Sequence, residues 1–475
     1  MIIRFLPFLD NLRYSPPFRF NASFFLFGFL NNCEYVVLLS AALDLVGRDV
    51  PKGVILFANI APALVVKLGW PYLSYGKVRY AKRIIWCSFL TFFGIVIVSL
   101  FPSLLMRVLG IAIASFSSGL GEITFLQLST IYKSPVLGGK AVSWFSSGTG
   151  ASGLVGALLW WIVRGFGVEL GLGLTSFIPP FMAVTYFYFL PHPSDDISSD
   201  YNTIPIHDVE SLLQSDEPQR DSLLRNRDVD DEEPATEQTQ FRSTNIPSSP
   251  ASDAPVKHLT TMEKLDLAKP LIVPYMLPLF AVYFAEYSVN QGVSPTLLYP
   301  VPSPESNPIQ ALLIKKLSDY YPLWQMIYQT FVFFSRSSIA IFKLPPLPRW
   351  LIPLPSIVQV GILGLTTLES TKGWIEPILG SYAMLGAAFL ISIEGYCGGV
   401  SYVSAFYHLG QEESGDYHHS SLSPGSLTAR REFKIACVGF ADTCGILAAS
   451  IFAIWLEPTL CGIQVERGYN LCRVV

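Results

Sequence analysis

Residues 84–106 read IIWCSFLTFFGIVIVSLFPSLLM, with no Asp, Glu, Lys or Arg among them. An α-helix needs about 20 mainly apolar residues to cross the roughly 30 Å hydrocarbon core of a bilayer, and this stretch supplies them. Working outward, comparable segments lie at 23–46 and 54–75 on one side and at 108–132, 141–164 and 168–190 on the other. A charged stretch follows, then five more at 270–292, 321–342, 350–369, 378–408 and 434–456. The pattern predicts an all-α polytopic membrane protein of about eleven transmembrane helices, six before a linker and five after it. Composition agrees. Of 475 residues, 51% belong to the set AVILMFWYC and 14% are charged, whereas a soluble domain carries about 25% charge. The balance of 32 basic against 36 acidic residues leaves no surplus to attract nucleic acid.

Lys and Arg accumulate in cytosolic connections. Here they gather at Arg4, Arg13 and Arg19, at Lys77, Arg79, Lys82 and Arg83, at Lys133 and Lys140, at Lys343 and Arg349, and at Arg430, Arg431 and Lys434. The alternate connections are poorer, Lys315 and Lys316 excepted. This expectation puts the N-terminal segment 1–22, the linker 191–268 and the loop 409–433 in the cytosol, and the tail 457–475 across the membrane. Residues 191–256 hold 15 acidic and 4 basic side chains with few aromatics, the composition of a disordered acidic tether. Within it, Asp208-Val209-Glu210-Ser211-Leu212-Leu213 has the form of a dileucine signal that cytosolic sorting adaptors read. The N-terminus has no continuous apolar core, so a cleaved signal peptide is not expected. The seven cysteines show no zinc spacing and imply no disulfide framework.

Carriers are often built from repeated bundles. Glu34-Tyr35 in the first segment is echoed by Glu286-Tyr287 in the seventh, Lys67 in the second by Arg336 in the eighth, and Glu122 in the fourth by Glu394 in the tenth. Gly148-Thr149-Gly150-Ala151 in the fifth stands opposite Asp442-Thr443-Cys444-Gly445 in the eleventh. The matches fall in the same order, which predicts two parallel, pseudo-repeated helical bundles over 23–190 and 269–456.

A charge at the centre of a span costs about 2.5–3.5 kcal/mol on insertion scales and so faces the bundle interior or water. That selects Glu34, with Asn31 and Asn32 a turn away, and Glu122, Glu286, Glu394 and Asp442 as members of a substrate or proton pathway. Each Glu has an alternative reading as helix-to-helix glue. Lys67 and Arg336 either snorkel, hold an anionic group between the halves, or pair with the carboxylates as gates. Gln329, with Trp324, Gln325 and Tyr328, offers hydrogen bonds and stacking at helical spacing. The run Ser146–Gly153 reads as tight helix packing. Nothing calls for a metal or cofactor: His418-His419 lack a matching ligand set, and no phosphate loop or hydrolase motif is present.

The chain resembles the battenin family of lysosomal and vacuolar membrane proteins. The resemblance is carried by Phe27–Asn32 with Tyr35–Ala42, Ala58-Asn59-Ile60-Ala61-Pro62, Ser143–Gly150, Val282–Tyr287, Ser335-Arg336-Ser337-Ser338, Leu354-Pro355-Ser356, Glu394–Gly399, Arg431-Glu432-Phe433 and Asp442-Thr443. It implies a major-facilitator-like fold, residence in the vacuolar membrane, and roles in lumenal pH, in basic amino-acid (arginine and lysine) homeostasis and in glycerophosphodiester export. Family members can end in a prenylation box. Cys472-Arg473-Val474-Val475 is a poor one, so modification there is not expected.

Two readings follow. One is a secondary transporter alternating between its bundles, surrounded by lipid, taking an amino acid or a glycerophosphodiester, with or without proton coupling. The other is a membrane regulator that does not transport and acts through its cytosolic loops. Neither requires enzymatic chemistry.

Overall fold

The computed structural model describes residues 16–47, 50–73, 79–129, 131–132, 135–191, 260–305, 307–339, 341–419 and 424–474, and among these the chain is helical with no strand. The Asp208, Leu212 and Leu213 signal lies outside the described residues. In the N-terminal half, α1 is Pro16–Ser40, α2 Gly53–Leu73, α3 Tyr80–Leu100, α4 Leu104–Ser129, α5 Pro135–Val163 and α6 Val168–Thr175. In the C-terminal half, α7 is Leu277–Ser288, α8 Tyr320–Arg336, α9 Leu354–Lys372, α10 Ala383–His419 and α11 Pro424–Glu466. Among the described residues, seven segments are long and apolar enough to cross a membrane, α3, α4, α10 and α11 among them. Side chains such as Trp86, Leu105, Phe389 and Trp455 point outward, as a surface in contact with lipid requires.

Proline decides the irregular elements. The sixth apolar segment breaks at Pro179-Pro180, between α6 and the short helix Phe181–Val184, because proline supplies no amide hydrogen and restricts the residue before it. The seventh is continuous but distorted. A helix over Thr261–Leu271 enters through a π turn, Ile272–Met276, that contains Pro274, and α7 leaves through a second π turn, Val289–Val293.

Several expected boundaries move. The helix that enters the second half starts at Thr261, inside the stretch assigned to the linker. There the Thr260 hydroxyl accepts from the Glu263 amide while the Glu263 carboxylate accepts from the Thr260 amide, a capping box. Likewise α1 starts at Pro16 within the expected 1–22 segment, as proline favours a first helical turn. Most of the expected 409–433 loop is helix, since α10 continues to His419 and α11 begins at Pro424. Helix α11 also runs ten residues past the expected 456. Apolarity marks where a helix meets lipid, whereas residues such as Gln, Glu, Ala and Arg extend helices beyond it at little cost.

The packing repeats. Helix α1 lies on α5 as α7 lies on α11, and α2 lies on α4 as α8 lies on α10. The halves meet through two interfaces, α5 with α8 and α2 with α11, and exchanging second for eighth and fifth for eleventh maps one onto the other. Glycines set these contacts. Gly28 and Gly148 bring the α1 and α5 backbones together, leaving no room for a Cβ, and Gly445 does the same for α11 against Phe280 of α7. Between the halves, Gly153 receives Gln329, and Gly53 lies against Ser450 and Ile454.

Candidate substrate cavity

Both halves contribute to one central cavity of about 110 Å³. Helix α2 lines it with Asn59, Ile60, Ala63 and Lys67, and α8 with Tyr328, Gln329, Val332 and Arg336. These sets share one spacing, i, i+1, i+4, i+8, which is a single helical face. The Lys67–Arg336 correspondence read from the sequence is thus also a correspondence in space. Asn32, Tyr35 and Val36 of α1 face Tyr283 and Tyr287 of α7; Glu122 of α4, Tyr402 of α10, and Asp442 and Thr443 of α11 complete the polar wall.

The two cations differ in their surroundings. Lys67 Nζ lies 2.8 Å from Glu122 Oε2 and donates to Thr443 Oγ1 at 3.1 Å. Thr443 in turn donates to Asp442 Oδ1 at 2.8 Å. Lys67 is therefore neutralised within its own half and tied to the other. Arg336 donates to the Tyr283 hydroxyl at 2.9 Å and stands 4.6 Å over the Tyr402 ring. Its Nε is buried without a hydrogen-bond partner, and among the described residues no carboxylate lies within ion-pair distance of it.

Of the residues singled out from sequence, Asn32, Lys67, Glu122, Gln329, Arg336 and Asp442 line the cavity. Asn31, Glu34, Glu286 and Glu394 do not. Asn31 donates to the Ser118 carbonyl at 3.1 Å and joins α1 to α4. Glu34 is 2% exposed and accepts from Thr175 of α6 at 3.1 Å, its other oxygen unpartnered. Glu286 accepts from Tyr328, a cavity residue, and lies against Gly398. Glu394 accepts from Asn290 at 2.9 Å, which the second π turn directs toward α10. The C-terminal carboxyls thus interlock α7 with α10 one layer behind the wall.

Sequence reading singled out Tyr328 but not the other tyrosine hydroxyls of the wall, Tyr283, Tyr287 and Tyr402, since an intramembrane tyrosine carries no marker that separates it from packing. It also missed two ion pairs that bind the halves together. Lys52, at the start of α2, pairs at 2.8 Å with Glu457 of α11, and both are nearly buried. Arg164, at the end of α5, lies 3.2 Å from Asp319, just before α8, and 3.9 Å from Asp44, which accepts from Trp160 Nε1 at 3.1 Å. Burial pushes the Asp44 carboxyl above its ordinary value, against the opposing pull of Arg164 and the Trp160 hydrogen bond. The two pairs occupy equivalent ends of the two equivalent interfaces, so they tie the halves together at one rim as a double latch. Away from that rim, Ser147 and Ser337 meet at 3.1 Å across the halves. Ordinary ligand pockets measure about 300–1,000 Å³; this cavity is smaller.

The family model described as CLN3 protein matches residues 22–463. The chain belongs to the CLN3, or battenin, family. Its relatives in that family include Protein BTN1 of Mycosarcoma maydis, 42% identical over 96% of this chain and 89% of the relative. Protein btn1 of Schizosaccharomyces pombe is 35% identical over 97% of this chain and 98% of its own length. Among solved structures, a POT family transporter in complex with a thioalcohol-conjugated peptide superposes with a TM-score of 0.53, 11% identity, and coverage of 96% of this chain and 93% of that one. A D-xylose-proton symporter gives 0.52 and 12%, with 96% and 95% covered. This CLN3-family chain therefore shares the fold of those two proteins, a major-facilitator-like, multi-pass membrane architecture.

Proposed function

We propose that the protein is a carrier of the vacuolar, lysosome-like membrane, N-terminus cytosolic, that moves a small anionic solute by alternating access between its two bundles. The observation that carries this reading is Arg336, a cation with an unpartnered buried nitrogen in a chamber lined by both halves. A phosphate or carboxylate would supply the paired oxygens that a guanidinium binds in bidentate fashion. Of the cavity carboxylates, Glu122 is already paired with Lys67 and Asp442 accepts from Thr443, and the other intramembrane glutamates lie behind the wall. The arrangement therefore favours a glycerophosphodiester over arginine or lysine, with the tyrosine faces able to receive a cationic headgroup. Asn32 and Gln329 orient the solute, Asp442 with the Lys67–Glu122 pair gates the cavity, and Glu286 and Glu394 support proton coupling through Tyr328. Asn31 and Glu34 hold α1 in place.

The test is uptake into proteoliposomes of the purified chain, comparing a glycerophosphodiester with arginine, each with and without a pH gradient. Saturable phosphodiester uptake whose half-saturating concentration Arg336→Ala raises about 10- to 100-fold supports the proposal. Equal, unsaturable entry of both solutes, with function in cells depending only on residues 195–255, supports instead the regulator acting through its loop and sorting adaptors.

A further inference from the structure

The end of α11 carries a covalent feature that the cavity does not explain. Cys461, in its last turns, is bonded to Cys472 in the short helix Leu471–Val474, across Cα atoms 5.7 Å apart. The other five cysteines, Cys33, Cys87, Cys397, Cys437 and Cys444, are free and lie within the helices. This corrects the expectation that no cysteines pair. We infer that the Cys461–Cys472 bond is a strap on the extracytosolic face, and that Cys472 consequently has no thiol available for lipidation.

Three observations place the strap. Glu457, one turn before Cys461 in α11, holds Lys52 at the latched rim, so the bond lies just beyond that rim. The rim lies opposite the Lys82–Arg83 start of α3, the end that charge distribution assigns to the cytosol. The surrounding polar contacts form a built cap: Gln464 donates to the Thr296 carbonyl at 2.8 Å and the Ser370 carbonyl at 2.7 Å, Thr296 and Ser370 share a hydrogen bond of 2.7 Å, and Arg467 donates to the Thr371 carbonyl. The strap thus returns onto the ends of α7, α9 and α11, within one half.

Disulfides persist in oxidising compartments and are rare where glutathione keeps thiols reduced. Formation removes two protons and two electrons from Cys461 and Cys472. They pass by thiol–disulfide exchange to the disulfide of an oxidoreductase in the secretory route, which leaves as a dithiol. The resulting sulfur has no thiolate to attack a prenyl diphosphate. None of this depends on whether the cavity carries a solute.

The experiment uses the full chain in sealed vesicles with the cytosolic face outward. Free thiols are blocked with a permeant maleimide, the vesicles are treated with a membrane-impermeant phosphine reductant, and newly exposed thiols are counted with a polyethylene glycol maleimide after denaturation. The expected result is no shift in intact vesicles and a shift of two additions once detergent is present during reduction. Cys461→Ser and Cys472→Ser each lose both additions. Two additions in intact vesicles, no additions under any condition, or a prenyl mass on the peptide containing Cys472 would overturn the inference.

Discussion

Arg336 and Lys67 look equivalent in the sequence, each a cation late in an apolar run, and their surroundings separate them. Removing Glu122 strands Lys67, whereas among the described residues Arg336 already has no carboxylate within ion-pair distance. Hydrogen bonds to charged groups contribute about 1.5–3 kcal/mol, or roughly 10- to 100-fold in affinity. Arg336→Ala is therefore expected to raise the half-saturating concentration for the anionic solute by about that factor while the protein still reaches its membrane. Arg336→Lys should recover only part, because an ammonium does not present the planar fork. Concentration-dependent uptake checks both. An Arg336→Ala variant with unchanged half-saturation would remove the guanidinium from the binding site.

At the level of helices, glycine fixes how closely elements pack. Gly148 of α5 meets the Phe25 carbonyl of α1, with no space for a side chain. Gly148→Val must push two backbones apart, and overpacking costs about 1–3 kcal/mol or more. Its melting temperature in detergent should fall well below the parent, whereas Gly361→Ala in α9, where a Cβ meets open space, should leave it unchanged. The sequence run Ser146–Gly153 announced tight packing. Its partner helices were not legible there, because small residues state how near a neighbour comes and not which neighbour it is.

For the molecule as a whole, the latch ties the two halves together at one rim. A buried ion pair broken by loss of one partner costs about 3–5 kcal/mol, so Glu457→Lys against Lys52 should open the rim and expose the chamber to label from that side. Adding Lys52→Glu should restore closure and part of the transport. Failure of the double reversal to recover either would mean that the pair does not act as a gate. The second latch responds to pH with a defined sign. Burial raises the Asp44 carboxyl, so its ionised form is penalised in the latched state at neutral pH, and protonation relieves that penalty. Facing it are Arg164, Asp319 and Trp160. As pH falls toward the ordinary carboxylate value of about 3.9, Asp44 should add to the stability of the closed state. The increment should be absent in Asp44→Asn, as thermal unfolding against pH would reveal.

By itself the sequence determined the membrane, the helical class, the repeat and the identity of the rare intramembrane charges. Each of these follows from local quantities: the length of apolar runs, the cost of a charge in hydrocarbon, the recurrence of Glu-Tyr and of Lys with Arg. Tertiary structure alone decided which charges share a chamber. Asn31, Glu34 and Glu286 sit within a turn of cavity residues, and Glu394 just over two turns from Tyr402, yet a rotation of about 100° per residue turns them to another face, where Ser118, Thr175, Tyr328 and Asn290 receive them. The Lys52–Glu457 latch was invisible because its partners are remote in the chain. Lys52 and Glu457 are 405 positions apart, and only the packing of α2 on α11 brings them together.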